Sequence, residues 1–555
     1  MSTHYTDDYT DFISWQKSLF ILLALFILSY LLPLNLRPVF IPDEVRYGEI
    51  SREILSSGNW LVPHFIGFRY FEKPPMGYWL NALSLFLFDQ NGFSVRFASA
   101  ISSGLTALSL FFLVLKTTQR TYPALLASVI YLTFFQVFII GTLSTLDAML
   151  SLWLTLAMIA FFLAEIQLVS RVKAYILLGF FCAMAFLSKG FLALAIPVIV
   201  IVPYMFWQKR FLELLHHSWI PILIAALVIM PWAVLIHLQE SDFWHYFFWE
   251  EHIKRFTADN AHHGEPFWFF IPVLLIFSLP WTTLAPVAFG RLFTKKKDLS
   301  SQVVDVETRL QHYALLWLII PFIFFSISKG KLPTYILPCY APLGILLALG
   351  FEQTYGLKKT VRTITQKVLE ISTVAAHMIF SIILVITIIA VQWFAVSQPL
   401  YSLEADNSSL KTILLIIIFA AWGVTSWWFI SPRLKQSHWK PFIIALLPLM
   451  MTLLLPAVLP DKILHSRAPG LFMAEQKKYL HTDTVLIAEH AMMGAVSWFY
   501  QRDDVYLSGG KGEFTYGLNY SDAAARNISY RQLKTFIAQK RQHQTVMFFD
   551  KTSSS

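Results

Sequence analysis

Three short stretches carry the residues that could do chemistry. Gly141-Thr142-Leu143-Ser144-Thr145-Leu146-Asp147-Ala148-Met149 places one carboxylate between two long apolar runs. Pro42-Asp43-Glu44-Val45-Arg46-Tyr47 follows the first apolar run, and Tyr70-Phe71-Glu72-Lys73-Pro74-Pro75 comes soon after it. A carboxylate at a membrane boundary is costly and faces water or a partner rather than lipid. Asp43 and Asp147 are therefore candidates for a base, a metal ligand or a positioning group. They can form one site only if both lie on the same side of the membrane. Asp43 also fits a structural role. If Pro42 opens a helix, Asp43 and Glu44 suit its positive end, and Tyr47 shares a face with Asp43. Lys73 suits a phosphate, with Glu72 orienting it or holding a cation, and Pro74-Pro75 would stiffen that turn. As an exposed surface pair, Glu72-Lys73 would be worth little.

Two further groups are less specific. Phe243-Trp244-His245-Tyr246-Phe247-Phe248-Trp249-Glu250-Glu251-His252-Ile253-Lys254-Arg255-Phe256 mixes charge with aromatics. It reads as an interfacial amphipathic helix, or as the source of a metal ligand, His252, opposite Glu72. His262 and His263 compete for that role. Lys189 in Ser188-Lys189-Gly190, and Lys329 and Lys331 in Ser328-Lys329-Gly330-Lys331-Leu332-Pro333-Thr334-Tyr335, fall in short turns where positive-inside statistics disfavour lysine. Anion binding is the better reading for all three, with a snorkelling anchor as the bland one.

Everything around these residues is hydrophobic. The chain has 555 residues, 56% of them hydrophobic and 14% charged, a composition of polytopic membrane proteins. Hydropathy gives about thirteen spans, at approximately 17–36, 81–114, 122–141, 145–165, 174–188, 190–207, 216–237, 267–290, 311–327, 332–351, 369–396, 410–430 and 440–459. The polar, acidic N-terminus and the length of the first run point to a retained span, not a cleaved signal. Alternate short loops are basic: Lys116 and Arg120; Arg171 and Lys173; Lys209 and Arg210; Arg291 with Lys295 to Lys297; Lys358, Lys359 and Arg362; Arg433, Lys435 and Lys440. That alternation predicts a cytoplasmic N-terminus. Residues 37–80, the Asp147 turn, the loop 238–266 and the tail from Asp461 then share the opposite side.

Two domains are expected: a membrane domain over 1–460 and a small α/β domain over 461–555. In the latter, Thr484–Ala488 and Thr545–Phe549 read as strands and Tyr530–Lys540 as a helix. Gly509-Gly510-Lys511-Gly512 is a turn, since the Walker spacing is missing. Asn407-Ser408-Ser409 and Asn527-Ile528-Ser529 match the glycosylation pattern, which short sequences do readily by chance. Two cysteines, Cys182 and Cys339, disfavour a disulfide framework and exclude a cysteine metal site. The net charge of +9 reflects topogenic loops and attraction to anionic substrates. Nucleic acid is not an expected partner, and the chain is expected to be a monomer.

Taken together, Asp43–Ile50, Tyr70–Pro75, Ser144–Asp147, Phe243–His252 and Ser328–Tyr335 closely resemble the bacterial lipid A aminoarabinosyltransferases, and the likeness runs through all the spans in order. The resemblance implies a type C glycosyltransferase fold of about thirteen transmembrane helices with a small C-terminal periplasmic α/β domain. It implies a donor, undecaprenyl phosphate-linked 4-amino-4-deoxy-L-arabinose, and a lipid A phosphate as acceptor. It places the protein in the bacterial inner membrane with its site facing the periplasm, in contact with membrane lipid. Lipid A so modified carries less negative charge and binds polymyxins and other cationic peptides less well. The resemblance makes Asp43 and Asp147 catalytic. It gives phosphate binding to Lys73, Arg46, Tyr47, Tyr70, Lys189, Lys329 and Tyr335. It places a divalent metal (Zn, or Mg/Mn) near Glu72 and His252 without making catalysis depend on it. A related enzyme with another polyprenyl-phosphate sugar, or with a protein or glycan acceptor, is the alternative. A secondary transporter is disfavoured because the polar residues collect at one boundary and no two-half symmetry is evident.

Overall fold

A computed structural model describes residues 13–254, 264–292, 302–355, 364–393, 400–401, 408–429 and 438–550. Arg255, His262, His263, the basic runs at 295–297, 358–362 and 433–435, and Asn407 lie outside these residues, as does the side chain of His252. Among the described residues, nine helices are long and apolar enough to cross a membrane, and two bent helix pairs bring the number to eleven. The remaining two expected spans are the shorter apolar helices Leu192–Trp207 and Lys440–Met451.

One expected span is corrected. Residues 81–114 do not form one helix. Met76–Phe88 ends at Asp89, and Gly92–Thr118 starts afresh. Asn91 caps the second helix by accepting from the backbone N–H groups of Phe93 and Ser94, and Ser94 completes a capping box. A cap satisfies backbone donors that a helix start leaves open, so it fixes a boundary that hydropathy averages away. The short helix before the break is thereby free to leave the line of the span.

The first loop folds into a helix over Asp43–Ser57 and a two-stranded hairpin, β1 (His64–Phe65) and β2 (Phe68–Arg69). Pro42 sits at the N-cap position, one residue earlier than expected, with Asp43 and Glu44 in the first turn. Glu53 on this helix accepts from the backbone N–H groups of Ile66 and Gly67 and so holds the hairpin turn.

The tail forms a four-stranded parallel sheet in the order β5-β4-β3-β6, with β3 at Val485–Glu489, β4 at Tyr506–Ser508, β5 at Asn527–Ile528 and β6 at Val546–Phe549. Val485 pairs with Val546 on one side of β3, and Ile487 pairs with Tyr506 on the other. β3 is buried over Val485–Ala488, as a central parallel strand covered on both faces must be. Helices His490–Tyr500 and Tyr530–Lys540 complete the α/β unit, the second as the sequence predicts. Its core is continuous with that of the first loop. Val45, Ile50, Phe65 and Tyr78 pack in one cluster with Leu486, Val496, Trp498 and Phe514.

Topology also sorts charge. At the end of the bundle away from the tail, Arg120 bridges Glu307 and Glu352, Arg210 pairs with Glu165 and Glu213, and Lys440 pairs with Glu370. These are loops that positive-inside reasoning groups together.

Candidate active site

The site begins with a buried ion cluster. Glu44 accepts two hydrogen bonds from Arg96 at 2.7 Å, and two from Arg37 at 2.8 and 2.9 Å. Burial alone would raise the Glu44 carboxyl. The hydrogen bonds and charges of Arg96 and Arg37 more than offset it and hold the group at about 2. Arg37 also donates to the Thr142 carbonyl at 2.9 Å, and Arg96 to the Pro38 carbonyl at 2.7 Å. The start of the Asp43 helix is thus tied to the turn that carries Asp147. Both guanidiniums find planar, bidentate partners, the geometry in which such pairs are strongest.

The same turn is pressed from the other side by the helix Met76–Phe88. A Cβ at Gly77 would stand 2.2 Å from Cδ2 of Leu146, so a larger residue there would make the Leu146 side chain shift. Asn81 then donates to Ser144 at 3.3 Å, and Ser99 donates to the Thr145 carbonyl at 3.0 Å. Asp147 is the first residue of the helix Asp147–Glu165.

Across from it, Lys189 ends the helix Arg171–Lys189 and donates directly to Asp147. The ring centroid of Tyr335 lies 5.1 Å from the same ammonium, within cation–π reach. Three predicted residues from three segments therefore meet at one point. Asp43 and Tyr47 approach it from the first loop. Tyr47 is half-buried, and desolvation with the charges of Asp43, Asp147 and Glu72 pushes its phenol up, against the opposing effect of Arg46. The charge of Asp43 also acts on Lys189. The side chain of Asp43, paired with Arg46, is 56% exposed, whereas Asp147 is held by a lysine and only 13% exposed.

Arg46 and Lys73 line the approach. Arg46 contacts Asp43 at 3.0 Å and Glu513 at 2.6 Å. Tyr70 donates to Glu513 at 2.9 Å, and its phenol is pushed up by burial and by the charges of Glu72 and Glu513. Lys73 lies 3.3 Å from Glu251 and donates to the carbonyl of Glu72 at 2.8 Å. Lys329 and Lys331 line an open groove of about 590 Å³ with Gly264–Phe267. Lys331 is buried and donates to the Glu265 carbonyl at 2.7 Å. Among the described residues no group of three His, Cys, Asp or Glu side chains could hold a metal. Glu72 alone of the two expected ligands has a described side chain.

Sequence reasoning missed the tail's part in the site. Besides Glu513, Asp242 accepts from Tyr516 and Tyr520, and Arg69 pairs with Glu240 at 2.8 Å and Asp522 at 2.9 Å. These contacts fasten the segment that delivers Glu251 to the α/β unit. No motif in the tail announces them.

Comparison with known proteins agrees with this architecture. Residues 15–247 match the family model described as dolichyl-phosphate-mannose-protein mannosyltransferase. Residues 464–555 match the C-terminal domain of the arabinosyl transferase ArnT. An undecaprenyl phosphate-alpha-4-amino-4-deoxy-L-arabinose arabinosyl transferase from Aeromonas hydrophila is 42% identical over 97% of this chain and 94% of its own. The protein of the same name from Shewanella sediminis is 43% identical over 94% of this chain and 92% of its own. A crystal structure of ArnT from Cupriavidus metallidurans bound to undecaprenyl phosphate shares the fold, with a TM-score of 0.76 at 19% identity over 94% of this chain and 91% of that one. The chain therefore belongs to the undecaprenyl phosphate-alpha-4-amino-4-deoxy-L-arabinose arabinosyl transferases, a family of multi-pass membrane glycosyltransferases.

Proposed function

We propose that this protein transfers 4-amino-4-deoxy-L-arabinose from undecaprenyl phosphate to a phosphate of lipid A, at the periplasmic face of the inner membrane. The observation that carries the reading is the meeting of Asp147, Lys189 and Tyr335, with Asp43, Arg46 and Tyr47 beside them. Carboxylates for a sugar and cations for a phosphate stand at one end of the bundle, under the α/β unit. The alternating basic loops support a periplasmic assignment for that end.

In the reaction an oxygen of the acceptor phosphate forms a bond to the anomeric carbon. The bond from that carbon to the donor phosphate oxygen breaks, and undecaprenyl phosphate leaves with the electron pair. Direct displacement inverts the anomeric centre. Negative charge grows on the leaving oxygen, and Arg46 and Lys73 are placed to stabilise it, with Tyr70 as a neutral donor. The acceptor phosphate is already ionised, so no strong base is needed. Asp43 and Asp147 act on the cationic sugar, holding its amine or the developing positive charge at the anomeric carbon. A divalent ion held by Glu72 and His252 belongs to this reading on the strength of the resemblance, and no step depends on it. The protein acts as a monomer.

The test is transfer by the purified protein, supplied with undecaprenyl phosphate-aminoarabinose and lipid A in detergent. Mass increase of lipid A supports the assignment. An unchanged lipid A together with a glycosylated protein or glycan acceptor would replace it by the alternative acceptor class.

A further inference from the structure

Glu513 is a carboxylate delivered from the tail into the mouth of the site. Its Oε2 lies 2.6 Å from Nε of Arg46, and Nη2 of Arg46 donates to its Oε1 at 3.2 Å. The remaining nitrogen, Nη1, donates to Asp43 at 3.0 Å. All three nitrogens of the guanidinium thus face carboxylates of the chain itself. The fit is imperfect: Nε is buried, yet its N–H is not aimed at any acceptor.

The delivery is built. Gly509-Gly510-Lys511-Gly512 turns the chain, and Gly512 has φ of +50°. That positive φ favours glycine, and a Cβ at Gly512 would stand 2.1 Å from Nε2 of His490, so the ring would have to move to admit one. The next residue is Glu513, and Phe514 after it stacks on Phe65 with centroids 5.1 Å apart. The hairpin of the first loop and the tail therefore fix Glu513 against Arg46 together. Only 14% of its side chain is exposed.

We propose that Glu513 is an internal counter-anion, which a lipid phosphate displaces from Arg46 when the donor binds. This rests on the reading of Arg46 as a donor-phosphate ligand. Two anions cannot share one edge of a guanidinium without repulsion, and a phosphate that takes both N–H groups of that edge brings more charge to it. Burial pushes the Glu513 carboxyl above the ordinary carboxylate range even though Arg46 opposes it, and Glu72 adds to the rise. A carboxylate so placed is held less firmly than its short contacts suggest. Until donor arrives, it shares with Asp43 the neutralisation of Arg46.

The test is binding of undecaprenyl phosphate to the full-length protein in detergent, for wild type, Glu513→Gln, Glu513→Asp and Arg46→Ala, with melting temperatures measured alongside. Removing the competing charge in Glu513→Gln is expected to tighten undecaprenyl phosphate binding about 5-fold or more, the scale of coupling between competing interactions. Glu513→Asp, which draws the charge back by one methylene, is expected to show a smaller gain. Lipid A binding is expected to stay unchanged. Unchanged or weaker undecaprenyl phosphate binding in Glu513→Gln at an intact melting temperature overturns the proposal, as does a gain seen with lipid A instead. If Glu513→Gln does not fold, equal or weaker binding by Glu513→Asp overturns it. If Arg46→Ala binds undecaprenyl phosphate as wild type does, the assignment of Arg46 to the phosphate has failed, and the displacement falls with it.

Discussion

Lys189 and Asp147 end and begin different helices of the bundle, yet they close one ion pair beneath the ring of Tyr335. An isolated charge at that depth would be costly. Paired, the two groups hold each other in fixed orientation toward the first loop, and this makes Asp147 a preorganised group. Asp147→Asn is expected to lower transfer about 100-fold or more, the scale set by losing one preorganised electrostatic group. Lys189→Met should lower it too, and the double variant should lose much less than the two single losses combined. Additive losses in steady-state assays would show that the pair does not act as a unit.

The Glu44 cluster predicts a pH dependence of stability. The folded carboxyl lies at about 2 against an ordinary 4.5. Its stabilisation is therefore fully present above pH 4.5 and is lost as pH falls toward 2. Glu44→Gln leaves the buried Arg96 and the half-buried Arg37 without their counter-ion and is expected to cost on the order of 3–5 kcal/mol. Thermal melts should show that deficit unchanged between pH 8 and about 5, shrinking only in more acidic buffer. A deficit that disappears near neutrality would contradict the assignment.

Tyr516 and Tyr520 both donate to Asp242, nine residues before Glu251, the partner of Lys73. Removing both hydroxyls in Tyr516→Phe with Tyr520→Phe should free the segment 240–254. Faster amide exchange is expected there, with a drop in transfer of about 3- to 10-fold from looser placement of Lys73. Unchanged exchange would mean that Arg69 with Glu240 and Asp522 suffices to hold the segment.

The proposed ion on Glu72 and His252 predicts a stoichiometric divalent metal in purified wild-type protein, lost in Glu72→Gln. Elemental analysis checks it. Equal metal content in both proteins would remove Glu72 from the ligand set.

Asp147 was legible in the sequence because a carboxylate between two apolar runs has few uses. The Asp43 helix was legible from its proline and acidic first turn. Their fastening was not: Arg96 lies 52 residues from Glu44, inside an apolar run where hydropathy averages a single arginine away. The same averaging fused the helices on either side of Asn91, although the Asn91–Ser94 capping box was present in the letters. Glu513 lies 467 residues from Arg46, on a turn whose glycines suggest only a turn. Contacts of this kind are set by how two finished domains meet, and no local pattern encodes them.

Mass spectrometry of lipid A tests the central claim most directly. Cells lacking the protein, and the same cells supplied with wild type or with Asp147→Asn at equal expression, are compared. Aminoarabinose is expected on lipid A with wild type and largely missing with Asp147→Asn. Lipid A that stays unmodified with wild type, or that is modified equally by Asp147→Asn, would contradict the account.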